Sequence, residues 1–351
     1  MDVLIHSAAS RFSLRLHRRA SLRQCALSVR SQLSLPFAEQ KAKYYRHLQA
    51  AVDVVERACH LCVDVQKSLF SSDGNIIEKI DQTPVTVADF GVQALVSLEM
   101  SKLFPSIPLV AEEDSGFVRE NNLAGAVFAE VTEKSSISDK ELSEDDVLKA
   151  IDRGGKDAYV FGPEPTTYWI LDPIDGTRGF VKGSEALYVV GLALVVEGKI
   201  VLGVMGCPNW QERDSDISNT DGAEENVSRS GIIMISHVGC GTWSTRLWDW
   251  PNSNIKMACK WISLCKYLMV ASGRASTFIM RARTKRIIKV WDHAVGVICI
   301  HEAGGKVTDW KGNALDFAAD EKERRVLFPC GGILVTNDGL HKRILEIISA
   351  S

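Results

Sequence analysis

The chain has 351 residues, of which 46% are hydrophobic and 24% are charged, and its formal net charge at pH 7 is −3. This length is enough to bury a sizeable core in one large domain or two smaller ones. The slightly acidic balance argues against a nucleic-acid-binding surface, which usually carries a strong basic excess. Because no apolar run reaches about 18 residues, the sequence predicts no membrane-spanning helix.

The first 37 residues are rich in arginine and serine, and Asp2 is their only acidic residue. Arginines interleaved with Phe12, Leu14 and Leu16 favour a basic amphipathic helix, which is typical of an organelle transit peptide. A disordered basic tail is the alternative. We therefore predict a transit peptide over residues 1–37 that directs the protein to a mitochondrion or a chloroplast, two organelles that this pattern does not distinguish.

A long amphipathic helix is predicted over residues 44–70, because apolar positions recur there at helical spacing. It contains Cys59 and Cys62, the only CxxC pair among nine cysteines. We interpret them as two ordinary thiols on one helix face, and a redox or zinc site is the alternative. Further helices are predicted at 87–100 and, behind the capping-box pattern of Ser143 and Asp146, up to residue 154.

Strands are interspersed with these helices and dominate the middle of the chain. Glu197 and Gly198 form a tight hairpin turn between two of them. Beyond Pro208 the pattern is irregular until Tyr267. Because helices mix with antiparallel strands and no internal repeat is found, the predicted fold class is α+β with layered sheets and helices. The predicted strands are 76–79, 109–111, 168–171, 186–196, 199–205, 306–308 and 333–336, and the last two helices are 291–302 and 340–348.

The most informative segment is 169–180, where a hydrophobic strand runs directly into two aspartates, Asp172 and Asp175. Pro173 fixes the backbone between them, so both carboxylates and the Ile174 carbonyl can converge on one point. Hard oxygen donors of this kind suit Mg²⁺. A tight turn that uses aspartate and glycine for its conformation is the alternative.

Two residues that follow these aspartates suit a phosphate group. Gly176 permits a close approach of the backbone, and Thr177 offers a hydroxyl beside exposed N–H groups. Amides at a strand-to-helix turn are a recurrent anion-binding arrangement. No Walker loop, dinucleotide-binding glycine motif or serine elbow is present, so kinase, dehydrogenase and serine-hydrolase activities have no support.

Acidic residues at two further places strengthen the metal hypothesis. Glu112, Glu113 and Asp114 directly follow the short buried strand 109–111, which places carboxylates at a sheet edge. Asp292 stands at the start of an apolar helix, where it would cap the helix, a role compatible with metal binding.

These motifs occur in an order that resembles the lithium-sensitive phosphatase superfamily, which includes inositol monophosphatases and 3'(2'),5'-bisphosphate nucleotidases. The resemblance covers most of residues 44–349, and residues 203–208 (GVMGCP) and 288–293 (IKVWDH) are similar to the bisphosphate nucleotidase branch. It implies an αβαβα sandwich, with a metal-binding α+β domain at 38–205 and a C-terminal α/β domain at 206–351. The motifs are 81–89 (DQTPVTVAD), 111–113 (AEE), 172–177 (DPIDGT) and 291–296 (WDHAVG).

The resemblance also implies roles for individual residues. Asp81 and Thr177 would position and deprotonate the attacking water, and the amides of Gly176 and Thr177 would hold the phosphate. The implied ligands of two or three Mg²⁺ ions are Glu112, Asp172, the Ile174 carbonyl, Asp175 and Asp292. The implied substrate contacts are Gly176, Thr177, Ser263, Lys266, Arg281 and Asp292, although solvated surface charge is the alternative for Lys266 and Arg281.

The implied activity is hydrolysis of adenosine 3',5'-bisphosphate, a product of sulfate-donor metabolism, to AMP and phosphate. Inhibition by Li⁺ or Na⁺ is a further expectation from the resemblance. We expect a monomer that binds this small nucleotide and neither nucleic acid nor a membrane. An inositol polyphosphate phosphatase with the same metal site is the alternative.

The chain departs from the family between Trp243 and Lys266, where only 22 residues stand in place of a much longer segment. We therefore predict that the second domain is truncated between about 244 and 265. Loss of core strands would weaken a domain by on the order of several kcal/mol, which is comparable to its total stability. The sequence predicts an intact metal site on a weakened scaffold, and a non-catalytic or misfolded shortened isoform is the alternative.

Overall fold

The computed structural model describes residues 3–5, 35–71, 77–78, 84–137, 142–164, 166–183, 186–210, 231–247, 263–283 and 287–350. The helices in this part are α1 (Tyr45–Ser71), α2 (Val87–Leu103), α3 (Gly116–Glu120), α4 (Ala124–Lys134), α5 (Glu144–Gly154), α6 (Thr177–Phe180), α7 (Ser263–Ala271), α8 (Ala294–Glu302) and α9 (Asp338–Ala350). The strands are β1 (Val3–Ile5), β2 (Ile77–Glu78), β3 (Pro84–Val85), β4 (Leu109–Ala111), β5 (Tyr168–Asp175), β6 (Val189–Val196), β7 (Lys199–Cys207), β8 (Ile232–His237), β9 (Gly241–Arg246), β10 (Thr277–Arg281), β11 (Ile288–Lys289), β12 (Gly305–Asp309), β13 (Val326–Leu327) and β14 (Gly332–Asn337).

A six-stranded sheet in the order β4-β5-β6-β7-β8-β9 forms the larger of the two main layers of strands. The pair β4-β5 is parallel, and the other neighbours are antiparallel. Its central strands are almost continuously apolar because helices cover both faces of the sheet. The turn between β6 and β7 lies at Glu197 and Gly198, both with positive φ, which confirms the predicted hairpin.

The layers follow the predicted αβαβα order. Helices α1 and α2 pack on one face of the six-stranded sheet, and α7 and α8 pack on the other. The second sheet, in the order β1-β10-β14-β12, lies on the far side of α7 and α8, and α9 covers its outer face. One apolar core fills the space under α1 and α2, and another surrounds α7 and α8. The predicted α+β class and layered sandwich are therefore confirmed.

The CxxC pair lies within α1, as predicted. Cys59 and Cys62 are free and fully buried. Burial raises the pKa of both thiols well above its usual range. Thiols in this environment remain protonated and unreactive, which agrees with their interpretation as ordinary core residues.

Several elements differ from the prediction. Helices α3 and α4 have no counterpart among the predicted elements, and β8, β9 and the first residues of α7 lie in the stretch predicted to be irregular. Periodicity fails in such places because packing against the sheet, rather than local pattern, stabilises short elements. Because β8 and β9 extend the six-stranded sheet, a domain boundary at 205 would divide that sheet, and the two-domain division stays a prediction.

Most of the predicted transit peptide lies outside the described residues. Two parts of residues 1–37 are described: Val3–Ile5 pairs with β10 as an edge strand, and Leu35 and Phe37 pack onto the core beside α1. Of the helices that the structure describes, none is both long and apolar enough to cross a membrane.

A buried carboxylate, Glu99, ties three helices together and predicts a pH dependence of stability. It accepts hydrogen bonds from Arg57 on α1 (2.8 Å) and, just beyond α4, from the amide and hydroxyl of Ser136 (2.6 Å each). Although burial opposes its charge, these partners together lower the pKa of Glu99 from 4.5 to about 2. A depressed carboxylate pKa stabilises the fold at pH values above the unfolded-state pKa, and this contribution is lost as the pH falls from about 4.5 towards 2.

We expect Glu99→Gln to lower the free energy of unfolding at neutral pH by up to about 3 kcal/mol, because each pKa unit corresponds to about 1.4 kcal/mol. In urea titrations, the difference from the wild type should be constant above pH 5.5 and shrink below pH 4.5. Asp145→Asn, which removes an exposed i,i+4 pair with Lys149, is the control and should change little at any pH. A Glu99→Gln difference that does not depend on pH would contradict the assignment.

Candidate metal centre

Three aspartates from distant parts of the chain meet at one end of the six-stranded sheet. Asp172 and Asp175 end β5, where the register with β6 shifts between them, and Asp292 precedes α8. One carboxylate oxygen of each lies within 4.8 Å of the others. Only 2% of Asp172 and 9% of Asp175 is exposed. The structure therefore brings these three predicted residues together.

A close approach of helices to the sheet places the cluster. Gly191 lies opposite Asp172 on β6. A side chain at Gly191 would start 2.6 Å from Leu264 of α7 and 2.9 Å from Val295 of α8. Because glycine leaves this space open, the first turns of both helices pack directly against the strand pair that carries Asp172.

Asp292 does not cap α8, which corrects one sequence expectation. The N-cap position belongs to His293, and it makes no side-chain capping bond. The His293 ring instead faces Tyr267 of α7, with its Nδ1 3.0 Å from the tyrosine hydroxyl. Asp292 lies one residue before the N-cap, and one of its carboxylate oxygens lies within 4.8 Å of those of the other two aspartates.

The electrostatics of the cluster favour a bound cation. Burial raises the pKa of Asp172 well above its usual range, and the negative charges of Asp175, Glu112 and Asp292 raise it further. Burial and the charge of Asp292 also raise the pKa of Asp175. Like charges buried this closely are unfavourable unless a positive charge lies between them.

The donor atoms present fit a hard divalent cation. Oδ1 of Asp172 is buried and has no hydrogen-bond partner among the described residues. A buried carboxylate oxygen without a partner is costly in a stable fold, and a metal ion would satisfy it. All the converging groups are carboxylates, the ligand type that Mg²⁺, Mn²⁺ and Ca²⁺ share.

Glu112 lies at the edge of this cluster, in a loop whose backbone is held by a buried side chain. Glu112 is exposed, but its charge acts on Asp172. The next residue, Glu113, donates its amide to Gln93 Oε1 (2.8 Å), and the Gln93 amide nitrogen donates to the Glu113 carbonyl (2.6 Å) and to the Ile151 carbonyl (2.8 Å). Gln93 is fully buried on α2. Sequence reasoning missed it, although a glutamine in an apolar helix is a signal of such a role.

Thr177 contacts an acidic residue that the sequence analysis did not select. Its hydroxyl lies 3.0 Å from Asp89 Oδ1 and 3.2 Å from the Ile174 carbonyl. The other oxygen of Asp89 accepts hydrogen bonds from the amide and hydroxyl of Thr86 (2.8 Å each), which completes a capping box at the start of α2. The pattern Thr-x-x-Asp is the signal that could have identified Asp89. Asp81, the predicted partner of Thr177, lies outside the described residues.

Gly176 has the backbone conformation that the predicted phosphate turn requires. Its φ is 100°, in the left-handed region that favours glycine, and it is the N-cap of the short helix α6. Its carbonyl accepts hydrogen bonds from the amides of Gly179 and Phe180. The amides of Gly176 and Thr177 remain the predicted phosphate contacts.

The three predicted substrate contacts of the C-terminal half have different surroundings. The Ser263 amide lies 3.3 Å from Asp175 Oδ1, and the Leu264 amide donates to the other oxygen. Lys266 is 5% exposed, lies 4.9 Å above the Phe278 ring and lowers the pKa of Asp175 through its charge. Lys266 is therefore buried and is not a solvated surface residue. Arg281 is exposed at the end of β10, and its described contact is the Trp310 ring at 6.0 Å.

The chain is similar in sequence to plant proteins that it matches over most of their length. The chain is 54% identical over 385 aligned positions to a mitochondrial protein of Arabidopsis thaliana that carries the provisional name 3'(2'),5'-bisphosphate nucleotidase, with 94% of this chain and 93% of the relative covered. A 3'(2'),5'-bisphosphate nucleotidase of Oryza sativa is 33% identical over 352 positions, with 87% and 94% covered.

The first of these alignments shows that the chain is internally shorter than its relative. It has 385 positions, whereas 94% of 351 residues is about 330 residues. At about 55 positions the relative therefore has a residue and this chain has none. The location of the deletion near 244–265 stays a prediction, and residues 248–262 of that stretch lie outside the described residues.

Solved structures share the fold at low sequence identity. An extragenic suppressor protein of Bartonella henselae matches with a TM-score of 0.52 at 17% identity, covering 86% of this chain and 98% of that one. An IMPase of Thermotoga maritima matches with a TM-score of 0.51 at 18% identity, covering 87% and 97%. The sequence profile of the inositol monophosphatase family matches residues 43–351. Because this match spans most of the chain and agrees with the fold and the acidic cluster, the chain belongs to the inositol monophosphatase family.

Proposed function

We propose that the chain is a Mg²⁺-dependent phosphomonoesterase that hydrolyses the 3'-phosphate of adenosine 3',5'-bisphosphate to AMP and phosphate. The observation that carries this proposal is the buried cluster of Asp172, Asp175 and Asp292, in a chain that is 54% identical to a protein named as a bisphosphate nucleotidase. Relatives of that name support a hydrolase acting on bisphosphate nucleotides.

The cluster would hold the metal through Asp172, Asp175 and Asp292, with Glu112 and the Ile174 carbonyl as further ligands. Two or three Mg²⁺ ions are proposed, because the family depends on divalent metal ions and carboxylate oxygens suit Mg²⁺. When bound, Mg²⁺ supplies positive charge that favours ionisation of the attacking water and offsets negative charge developing on the phosphate oxygens.

The residues of the chain would orient the reacting groups. The Thr177 hydroxyl donates its hydrogen to Asp89, so its oxygen retains a lone pair that can accept a hydrogen bond from the attacking water. The amides of Gly176 and Thr177 would hold the scissile phosphate. Lys266 would supply the positive charge for the second phosphate of the nucleotide, because it is held beside Asp175 by burial.

The shortened segment favours a second candidate, a protein that binds metal without turnover. The chain lacks about 55 positions of its Arabidopsis relative. Ser263 lies at the end of the stretch in which the deletion is predicted, and Lys266 directly follows it. A substrate pocket that depends on the absent residues would leave the metal cluster intact and lower the affinity for the nucleotide.

We expect a substrate panel to separate these candidates. Purified protein with Mg²⁺ should release phosphate from adenosine 3',5'-bisphosphate faster than from inositol 1,4-bisphosphate or from 5'-AMP. Asp175→Asn is the control and should release none. Metal binding without release from any of the three compounds would favour the non-catalytic candidate, and faster release from the inositol bisphosphate would favour an inositol polyphosphate phosphatase.

We also propose a cellular compartment for the protein. The arginine-rich N-terminal segment and the mitochondrial name of the Arabidopsis relative support an organellar protein, with the mitochondrion as the proposed compartment. Lithium sensitivity and a place in sulfur metabolism remain expectations from the family resemblance.

A further inference from the structure

Arg325 contacts the end of α5 and the segment that carries Asp292. Its guanidinium Nη2 lies 3.0 Å from the Gly154 carbonyl oxygen and 2.5 Å from that of Gly155. These carbonyls end α5, where the last carbonyls of a helix lack helical partners and carry partial negative charge. A positively charged guanidinium that donates two hydrogen bonds from Nη2 is well suited to this position.

The end of α5 is in turn packed against the loop that carries Glu112. A Cβ atom on Gly155 would lie 1.9 Å from the Glu113 carbonyl oxygen, so the two backbones are in direct contact. Gln93 bonds both the backbone of Glu113 and the carbonyl of Ile151 on α5. The end of α5 and the acidic loop are thus held as one unit.

Arg325 also contacts the segment that precedes Asp292. Its own carbonyl accepts a hydrogen bond from the Val290 amide (3.0 Å). Its guanidinium lies 5.8 Å from the centre of the Trp291 ring, and Lys289 Nζ lies 5.2 Å from the same ring. Trp291 is 4% exposed, so its position is set by these neighbours and by the core.

The loop of Glu112 and the segment of Asp292 each carry a negative charge at the proposed metal site. Glu112 and Asp292 are both acidic, so the two segments bring like charges near each other when no cation is present. We propose that Arg325 is a positioning residue that sets the separation between Glu112 and Asp292 and thereby determines the affinity of the metal site. This inference rests on the proposed function, because it takes both residues as metal ligands.

Arg325→Lys tests the proposal with the charge retained. Lysine lacks the planar guanidinium that lies beside the Trp291 ring while its Nη2 donates to both carbonyls. Residues that orient metal ligands typically change metal affinity by about 10-fold to 100-fold when replaced. We expect the dissociation constant of Mn²⁺, measured by electron paramagnetic resonance without substrate, to rise by about 10-fold or more. The Mg²⁺ concentration for half-maximal phosphate release should rise by a similar factor, with the substrate KM at saturating Mg²⁺ changed by less than about 3-fold.

Arg153→Lys is the control, because Arg153 is an arginine of α5 itself whose guanidinium also donates to oxygens of the protein. It donates to the Ser97 carbonyl and to the Ser97 and Ser101 hydroxyls, and not to the acidic loop. Its replacement should leave Mn²⁺ affinity unchanged. Unchanged affinity in Arg325→Lys, or an equal loss in Arg153→Lys, would overturn the proposal.

A second variant and the behaviour of the wild type separate the possible outcomes. If Arg325→Lys does not fold, Trp291→Phe is the second variant, because it replaces the ring beside Arg325 with a smaller one. This variant should also weaken Mn²⁺ binding. Unchanged affinity in Trp291→Phe would overturn the proposal as well. Wild-type protein that binds no Mn²⁺ would refute the metal site itself, whereas wild-type protein that binds Mn²⁺ but releases no phosphate would refute only the proposed activity.

Discussion

Replacing Asp172 with asparagine is expected to abolish metal-dependent phosphate release and, in the absence of divalent ions, to make the folded protein more stable. The buried Oδ1 of Asp172 has no hydrogen-bond partner among the described residues, so a bound cation is the group that would stabilise its charge. Loss of a metal ligand removes several kcal/mol of transition-state stabilisation. Because about 1.4 kcal/mol is a tenfold change in rate, activity should fall by at least about 1,000-fold.

The expected gain in stability follows from the surroundings of the same side chain. Asp172 is buried among the negative charges of Asp175, Glu112, Asp292 and Asp89, all of which disfavour its ionised form. An asparagine has nearly the same shape without the charge, so it removes this repulsion. The melting temperature of the metal-free variant should therefore exceed that of the metal-free wild type by a few degrees.

Mg²⁺ should reverse this order of stability. Addition of saturating Mg²⁺ should raise the melting temperature of the wild type, because a ligand that binds only the folded state stabilises it, and should have little effect on Asp172→Asn. Glu99→Gln is the control: it also neutralises a buried acid, but one paired with Arg57, so it should lower the melting temperature and leave the Mg²⁺ shift intact. A less stable Asp172→Asn protein that still responds to Mg²⁺ would refute the assignment of Asp172 as a ligand.

Thr177→Val is expected to lower kcat by about 100-fold to 10,000-fold with little change in KM, the range expected when a group in proton transfer is removed. Valine preserves the shape of threonine but removes the hydroxyl that bonds Asp89 and the Ile174 carbonyl. Thr177→Ser, which keeps the hydroxyl, should retain activity within about tenfold of the wild type. Thr132→Val, which removes a hydroxyl bonded to the Phe128 carbonyl on α4, should have no effect.

The acidic partner of Thr177 can be identified by a double-mutant cycle. If Asp89 orients the hydroxyl, Asp89→Asn should reduce kcat, and the combination with Thr177→Val should be no worse than the slower single variant. Asp81→Asn tests the residue that the family resemblance implies. Independent, additive losses for Asp89 and Thr177, together with non-additive losses for Asp81 and Thr177, would assign the role to Asp81.

Local pattern was sufficient for the elements whose signals lie within a few residues. Helical periodicity predicted α1 and α2, and apolar β-rich runs with turn chemistry between them predicted the β6-β7 hairpin. The capping box of Ser143 and Asp146 correctly marks the start of α5. Local pattern did not predict β8, β9 or α7. These short elements are stable because β8 and β9 pair within the six-stranded sheet and α7 packs against it.

Motif spacing was also sufficient to select the three aspartates of the cluster, because strand-to-turn acids and a matched motif order restrict where such residues can lie. It did not select Asp89, whose importance depends on Thr177 lying 3.0 Å away across 88 positions of sequence. It did not select Gln93 either, because nothing in the sequence shows that this side chain reaches the backbone beside Glu112.

The sequence by itself therefore determined the family, the layered α+β class and the chemical identity of the clustered acidic groups, since these depend on residue types at fixed local spacing. Only the tertiary structure decided which acid contacts Thr177, that Asp292 joins the carboxylate cluster while His293 is the N-cap of α8, and that Arg325 links the end of α5 to the segment of Asp292. The physical reason is that hydrogen bonds and charge interactions extend over only a few ångströms, and the fold alone brings residues that are distant in the chain within that range.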